Sequence, residues 1–284
     1  MLCLSGSLPY GLESPHALLF FRCQRCANLP TSPPLLTQQL DALWKASRYR
    51  LYHPKHLGTF FRLHHRFDLQ FVRLSQLQIE IPRGTLPDCE SCTNICCTGP
   101  NAVVSLRLTD IARLLDAGLE EHITFRRPLP LHNVSWAAQE ANWSVFTESF
   151  PILKRDKTGT CTLLSEKRTC NAYPDWPLSC ARYPYALDVL RKRMFLAQGC
   201  RSHRFVSLDD APGKVKELVQ ATLRGYNERV KDIILLHVAL PELLQLGFGP
   251  YLRLQGKLLK KAQRWERSKS APRENPPPPS EASL

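Results

Sequence analysis

Apolar and polar positions follow several distinct rhythms along these 284 residues. From Gln38 to Tyr49 the chain lacks Pro and Gly, and Leu40, Leu43, Trp44 and Leu51 recur at a loose helical spacing, so a helix is expected there. His53-Pro54 breaks it. Phe60, Leu63, Phe67, Phe71 and Leu74 then return at steps of three and four, which predicts an amphipathic helix over Thr59–Gln76. Leu77–Ile81 alternates and reads as a short strand, ended by Pro82-Arg83-Gly84. A second strand is expected over Ala102–Leu108, then a helix over Asp110–Ala117. Thr109 would be its N-cap, Asp110 would complement its dipole, and Gly118 would stop it. Residues 120–155 hold Pro128, Pro130 and Pro151 around Trp136 and Trp143 and read as an irregular connection. Two hairpins follow, Gly159–Leu164 with Thr169–Tyr173 and Ala186–Leu190 with Met194–Ala197. The C-terminal third is helical over Lys214–Arg229, Ile233–Leu246 (interrupted at Pro241) and Tyr251–Arg267.

These elements divide the chain into five parts. Residues 1–36 are irregular, 37–84 form a basic helical flank, and 85–207 form a cysteine-cluster domain. Residues 208–267 are a C-terminal helical region, and 268–284, with Pro276–Pro279, read as a disordered tail. The fold class expected is α+β: a small, irregular, metal-centred core with short hairpins, flanked by N- and C-terminal helices. A hydrophobic content of 43% suits a folded protein. Apolar runs such as Ile233–Leu236 fall far short of the ~20 residues of a membrane span. The N-terminus lacks the basic and apolar regions of a secretory signal, so a cytoplasmic location is expected. Eleven cysteines, an odd number, then fit bound metal better than a disulfide framework.

The chemistry concentrates in Asp88–Pro100, which carries Cys89, Cys92, Cys96 and Cys97. A turn with four thiols buries little apolar surface, so packing does not account for it. Two thiols separated by two residues reach one ion from one side of a turn, and Cys96 completes a third position. Cys96 and Cys97 are neighbours that point apart in extended backbone, so one of them serves a second ion or stands in reserve. Thiolates suit zinc and iron–sulfur clusters alike and exclude hard ions. The adjacent pair is unlike the separated pairs of zinc ribbons and leans toward iron, with both left open. Cys23 and Cys26 make only half a zinc site and are not counted as ligands.

The C-x2-C-x3-C-C arrangement resembles the YkgJ-like cysteine-cluster family, described as zinc- or iron-chelating. Val103–Ile111 is similar to the strand and helix start that follow the cluster in that family. The resemblance implies a second cysteine group, here Cys161, Cys170, Cys180 and Cys200. Trp176-Pro177-Leu178-Ser179-Cys180-Ala181-Arg182-Tyr183-Pro184 keeps the family's cysteine and both prolines but has Trp176 and Ala181 where two arginines are usual. The resemblance covers about residues 85–205. It implies a metal site formed by all eight cysteines and, through the related flagellin lysine N-methylases, allows a protein-modifying enzyme without assigning a reaction.

A net charge of +13 points to an acidic partner, nucleic acid or protein. The strongest patch runs from Lys45 to Phe67, with Arg48, Arg50, Lys55, Arg62 and Arg66 interleaved with Tyr49, Tyr52 and Phe61. Aromatics on a packed helix are more often core than stacking platforms. No phosphate loop, dinucleotide fingerprint, H-E-x-x-H or G-x-S-x-G occurs, so those chemistries have no support. Three functions remain. One is a metal protein whose ion is the functional centre, the second a structural zinc module presenting a basic surface, and the third a modifying enzyme.

Overall fold

The computed structural model describes residues 35–67, 69–79, 85–87, 96–98, 103–127, 147–167, 169–173, 175–188, 192–196, 205–207 and 212–270. The first helix, α1 (Leu36–Ser47), buries Leu40 and half-buries Leu36, Leu43 and Trp44. It starts where it does because Asp116, on another helix, receives hydrogen bonds from Leu36 N (2.7 Å) and Thr37 N (3.0 Å). A carboxylate there satisfies two orphan N–H groups and complements the helix dipole. After a short 3-10 turn over Arg50–Tyr52, Pro54 opens α2 (Pro54–Phe67), at the one helical position where its missing N–H costs nothing.

The helix predicted to run on to Gln76 stops at Phe67. Residues 69–73 are extended because Asn227 takes both backbone groups of Val72, accepting from its N–H (3.0 Å) and donating to its carbonyl (3.1 Å). The inward-facing side chains are therefore Leu69 and Val72, while Phe71 and Leu74 face water. The side chains of Leu63, Arg66 and Phe67 lie outside the description.

Three small sheets follow. β1 (Gln78–Ile79) runs parallel to β6 (Arg193–Leu196), which pairs antiparallel with β5 (Tyr185–Asp188), so the second predicted hairpin forms as expected. β2 (Thr85–Pro87) pairs antiparallel with β7 (Phe205–Ser207), joining the two ends of the stretch that carries the cysteines. Part of the connection read as irregular is a sheet, β3 (Ile123–Arg126) against β4 (Phe150–Leu153). The strand expected at 102–108 is reduced, among the described residues, to one bridge from Ser105 to Ile152. Gly159–Leu164 and Thr169–Tyr173 pair antiparallel only briefly, with the Ser165 N–H donating to the Thr169 carbonyl and the Asn171 N–H to the Leu163 carbonyl, both at 2.8 Å, rather than as a full two-stranded hairpin. Cys161 bridges Arg155, and Leu164 bridges Cys170.

α3 (Leu108–Asp116) begins two residues before its predicted start. Arg107, not Thr109, is its N-cap, and Asp110 folds back to accept the Arg107 N–H at 2.9 Å. The Thr109 hydroxyl instead donates to Glu228. Gly118, at φ +68°, closes the helix as expected, with Leu119 N–H bonded to the Leu114 carbonyl.

α4 (Leu178–Ala181) is one short turn, and α5 (Pro212–Val238) is the long central helix. The break expected near residue 230 is absent. Arg229, Lys231 and Asp232, at and just past the end expected for the first of the two helices, are all buried, and the helix continues through Val230 and Ile233–Leu236. Lys231 pairs with Glu228 at 3.3 Å, which eases its burial. The chain breaks at Ala239, and α6 (Leu240–Gln245) carries Pro241 in its first turn. α7 (Gly256–Ser270) packs through Leu258 and Ala262. The architecture is α+β and mostly helical, with one core that draws on α1, α3, β4, β5 and α5–α7.

Candidate metal centre

Cys97 and Cys161 are 64 positions apart in sequence, yet the Cys161 N–H donates to the Cys97 carbonyl at 2.7 Å. Arg155 fixes the same turn, donating to the carbonyls of Cys97 (3.3 Å), Cys96 (3.3 Å) and Gly159 (2.5 Å). Asp156 holds the loop in between, accepting from Thr158 N (2.8 Å) and Thr160 N (2.9 Å). Its carboxyl is held below the usual range, first by the Thr158 hydroxyl and then by the Thr160 N–H. A loop with so little apolar content is ordered by capture of its own polar groups. Cys170 follows through its bridge to Leu164.

Cys180 arrives on α4, and Asp110 fixes its position. One carboxylate oxygen of Asp110 accepts the Arg107 N–H and the other accepts Leu178 N–H at 2.9 Å, so a single buried side chain caps both α3 and α4. The Ser179 hydroxyl adds a bond to the Ser105 carbonyl at 2.9 Å. Beneath α4, Gly225 of α5 lets the chain approach closely, since a Cβ there would meet Arg182 Cδ at 3.3 Å. Trp176, one of the two departures from the family pattern, is partly exposed and rests on Tyr173, with ring centroids 5.6 Å apart.

Cys161 is buried, Cys97, Cys170 and Cys180 are half-buried, and these four carry no disulfide. Cys96 is exposed. Burial pushes the Cys97 thiol up, with Cys161 and Cys170 adding to it and Arg155 opposing. Burial raises Cys170 and raises Cys180 strongly, and Cys180 also feels Cys97, Cys161, Cys170 and Asp110. Each thiol thus discourages ionisation of its neighbours, the arrangement a bound cation reverses. Asp110 itself is pushed up to about 6 by burial, against its two N–H bonds.

The structure therefore brings Cys97, Cys161, Cys170 and Cys180 together, with Cys96 beside them. Among the described residues no three Cys, His, Asp or Glu side chains stand close enough to hold one ion. Cys89, Cys92 and Cys200 lie outside the described residues, as do Cys23 and Cys26.

A scan against family models matches residues 88–202 to CxxCxxCC, described as a "putative zinc- or iron-chelating domain". Residues 88–202 carry the CxxCxxCC domain. No curated protein and no solved structure matches the chain. Within the matched stretch, thiols from two distant parts of the sequence lie near one another without disulfides, and thiolate is a donor type that suits a thiophilic metal. Arg155 and Asp110 are site residues that sequence reasoning missed. Arg155 lay at the end of a stretch read as connection, and Asp110 was read only as a dipole partner. Their second contacts are tertiary and leave no local spacing.

Proposed function

We propose that the CxxCxxCC domain is the functional centre of this protein and that it holds zinc or an iron–sulfur cluster through Cys89, Cys92, Cys96, Cys97, Cys161, Cys170, Cys180 and Cys200. The observation that carries this reading is the convergence of the two cysteine groups at the Cys97–Cys161 backbone bond. When bound, an iron–sulfur cluster would supply one-electron chemistry, and zinc a redox-inert or Lewis-acid centre. The chain's own residues do the positioning. Arg155 pins the Cys96–Cys97 turn, Asp110 pins α4, and burial keeps water from the Cys161 side. A cytoplasmic location suits this chemistry, because thiolate ligands persist where thiols are kept reduced. Among the described residues no helix is long and apolar enough to cross a membrane.

Metal analysis and visible absorption of anaerobically purified protein test the proposal. Stoichiometric iron with absorption near ~400 nm identifies a cluster, and colourless protein with stoichiometric zinc identifies zinc. Protein that is folded and reduced but takes up neither metal contradicts it.

A further inference from the structure

The basic flank contains a second candidate site, remote in sequence from the cysteines. A cleft of about 700 Å3 opens between the corner joining α1 to α2 and the helices α6 and α7. Such a volume is that of a small-molecule site, within the usual ~300–1,000 Å3. Lys55, His53 and His56 line one wall, and Lys261 lines the other. The cleft's lining contains one acid, Glu242, which is paired with Arg50. Among the described residues no acid stands within ion-pair distance of Lys55 or Lys261, although the Glu242 charge is felt at Lys261.

Lys261 is half-buried and donates to the His237 carbonyl at 2.8 Å, which leaves ammonium protons for a further acceptor. His56 feels the same excess charge. Burial and then Lys55, Lys261, His53 and Arg50 hold its pKa below the ordinary range. At the mouth, Tyr49 lines the cleft and is 65% exposed, against the expectation that these aromatics are core. Arg48 lies over its ring at 4.6 Å and donates to its hydroxyl at 2.7 Å, fixing the ring as a platform. Tyr52 and Phe61 are exposed as well.

We propose that this cleft binds a phosphate ester joined to an aromatic base, a nucleotide either free or as one unit of a single strand, with Lys55 and Lys261 taking the phosphate and Tyr49 stacking on the base. A bare anion has no use for the exposed aromatic face. An acidic peptide has none for a fixed flat ring beside paired cations. A nucleotide uses both, since every base offers a stacking face and every phosphate a charge.

The test uses the full chain with AMP by calorimetry and with a labelled ten-nucleotide deoxythymidine strand by anisotropy. Metal content is measured in every variant, so that failure here stays separate from failure of the metal centre. Wild-type protein binds AMP, the strand, or both. AMP alone identifies a free nucleotide, and binding of the strand shows a nucleic-acid unit. K55Q, at an exposed position, weakens binding at least threefold, and K55Q/K261Q weakens it more than tenfold. For the strand, the double variant flattens the slope of log affinity on log salt by about 0.7, the loss of one phosphate contact. Y49A weakens binding at least fivefold and leaves that slope alone. If the double variant misfolds, K55Q and Y49A still decide. Absence of binding to both probes overturns the proposal. So does competition by inorganic phosphate or polyglutamate as strong as AMP's, with Y49A silent.

Discussion

The cysteine segment and the helical unit α5–α7 solve the problem of order in different ways. The C-terminal half of α5 is ordered mainly by apolar burial, with Tyr226, Val230, Leu235 and Leu236 almost inaccessible to water beside a few buried polar groups. Around the cysteines, short turns are held by captured carbonyls and caps: Arg155 on three carbonyls, Asp110 on two N–H groups, and Asp156 within its own loop. A truncated apolar side chain costs its lost burial plus the cavity left behind, because a packed core relaxes only partly, whereas a captured polar group left without its partner costs the desolvation of that group and frees the turn it held. The first kind of region sets global stability. The second sets the geometry of the thiols.

Leu235→Ala attacks the helical side and has the largest expected effect, a loss of about 2–5 kcal/mol in urea unfolding. Metal content per folded molecule stays the same. Asp110→Ala attacks the other side. It strands the Arg107 and Leu178 N–H groups, and even after relief of a buried charge it costs about 1–3 kcal/mol. It also loosens α4, so metal affinity in chelator competition falls. Asp110→Asn keeps one acceptor and falls between Asp110→Ala and wild type. Equal metal affinity in all three proteins would show that the cap does not position Cys180.

Asp232 sharpens the contrast by pH. Its carboxyl is fully buried in α5, neither oxygen has a hydrogen-bond partner among the described residues, and burial raises its pKa well above the ordinary carboxylate range. A carboxyl raised on folding binds more protons in the folded state, so its contribution to stability declines as pH rises above about 4. Asp232→Asn removes that decline. The variant is expected to be more stable relative to wild type at pH 7 than at pH 4, because it carries no proton that is lost between them. Thermal melts at both pH values check this. The smallest effect belongs to Gly225→Ala. Its helix-propensity gain of about 1 kcal/mol is offset by displacement of the Arg182 side chain, for a net change under about 1 kcal/mol.

The same contrast explains what the sequence revealed. Alternation exposed the β5–β6 hairpin, the Gly118 stop was legible from glycine alone, and the cysteine groups announced the CxxCxxCC domain. The gap left between Arg229 and Ile233 is closed in the structure, because Arg229, Lys231 and Asp232 are buried with the rest of α5, and Lys231 finds Glu228 one turn back. The false extension of α2 had a similar origin, since Asn227 redirects the chain at Val72 from 155 residues away. At the centre itself, the turn Cys96–Thr98 and the positions of Cys161, Cys170 and Cys180 depend on Arg155 and Asp110, whose tertiary partners no local pattern encodes.

X-ray absorption at the bound metal's edge, on wild-type protein and on Cys180→Ser, bears most directly on whether both cysteine groups share the centre. For zinc the account predicts coordination by sulfur alone at ~2.3 Å in wild type, and for a cluster, sulfur ligation of iron. In Cys180→Ser, metal is lost or a sulfur is replaced. Ligation dominated by nitrogen and oxygen in wild type, or unchanged sulfur ligation and metal content in Cys180→Ser, would contradict it.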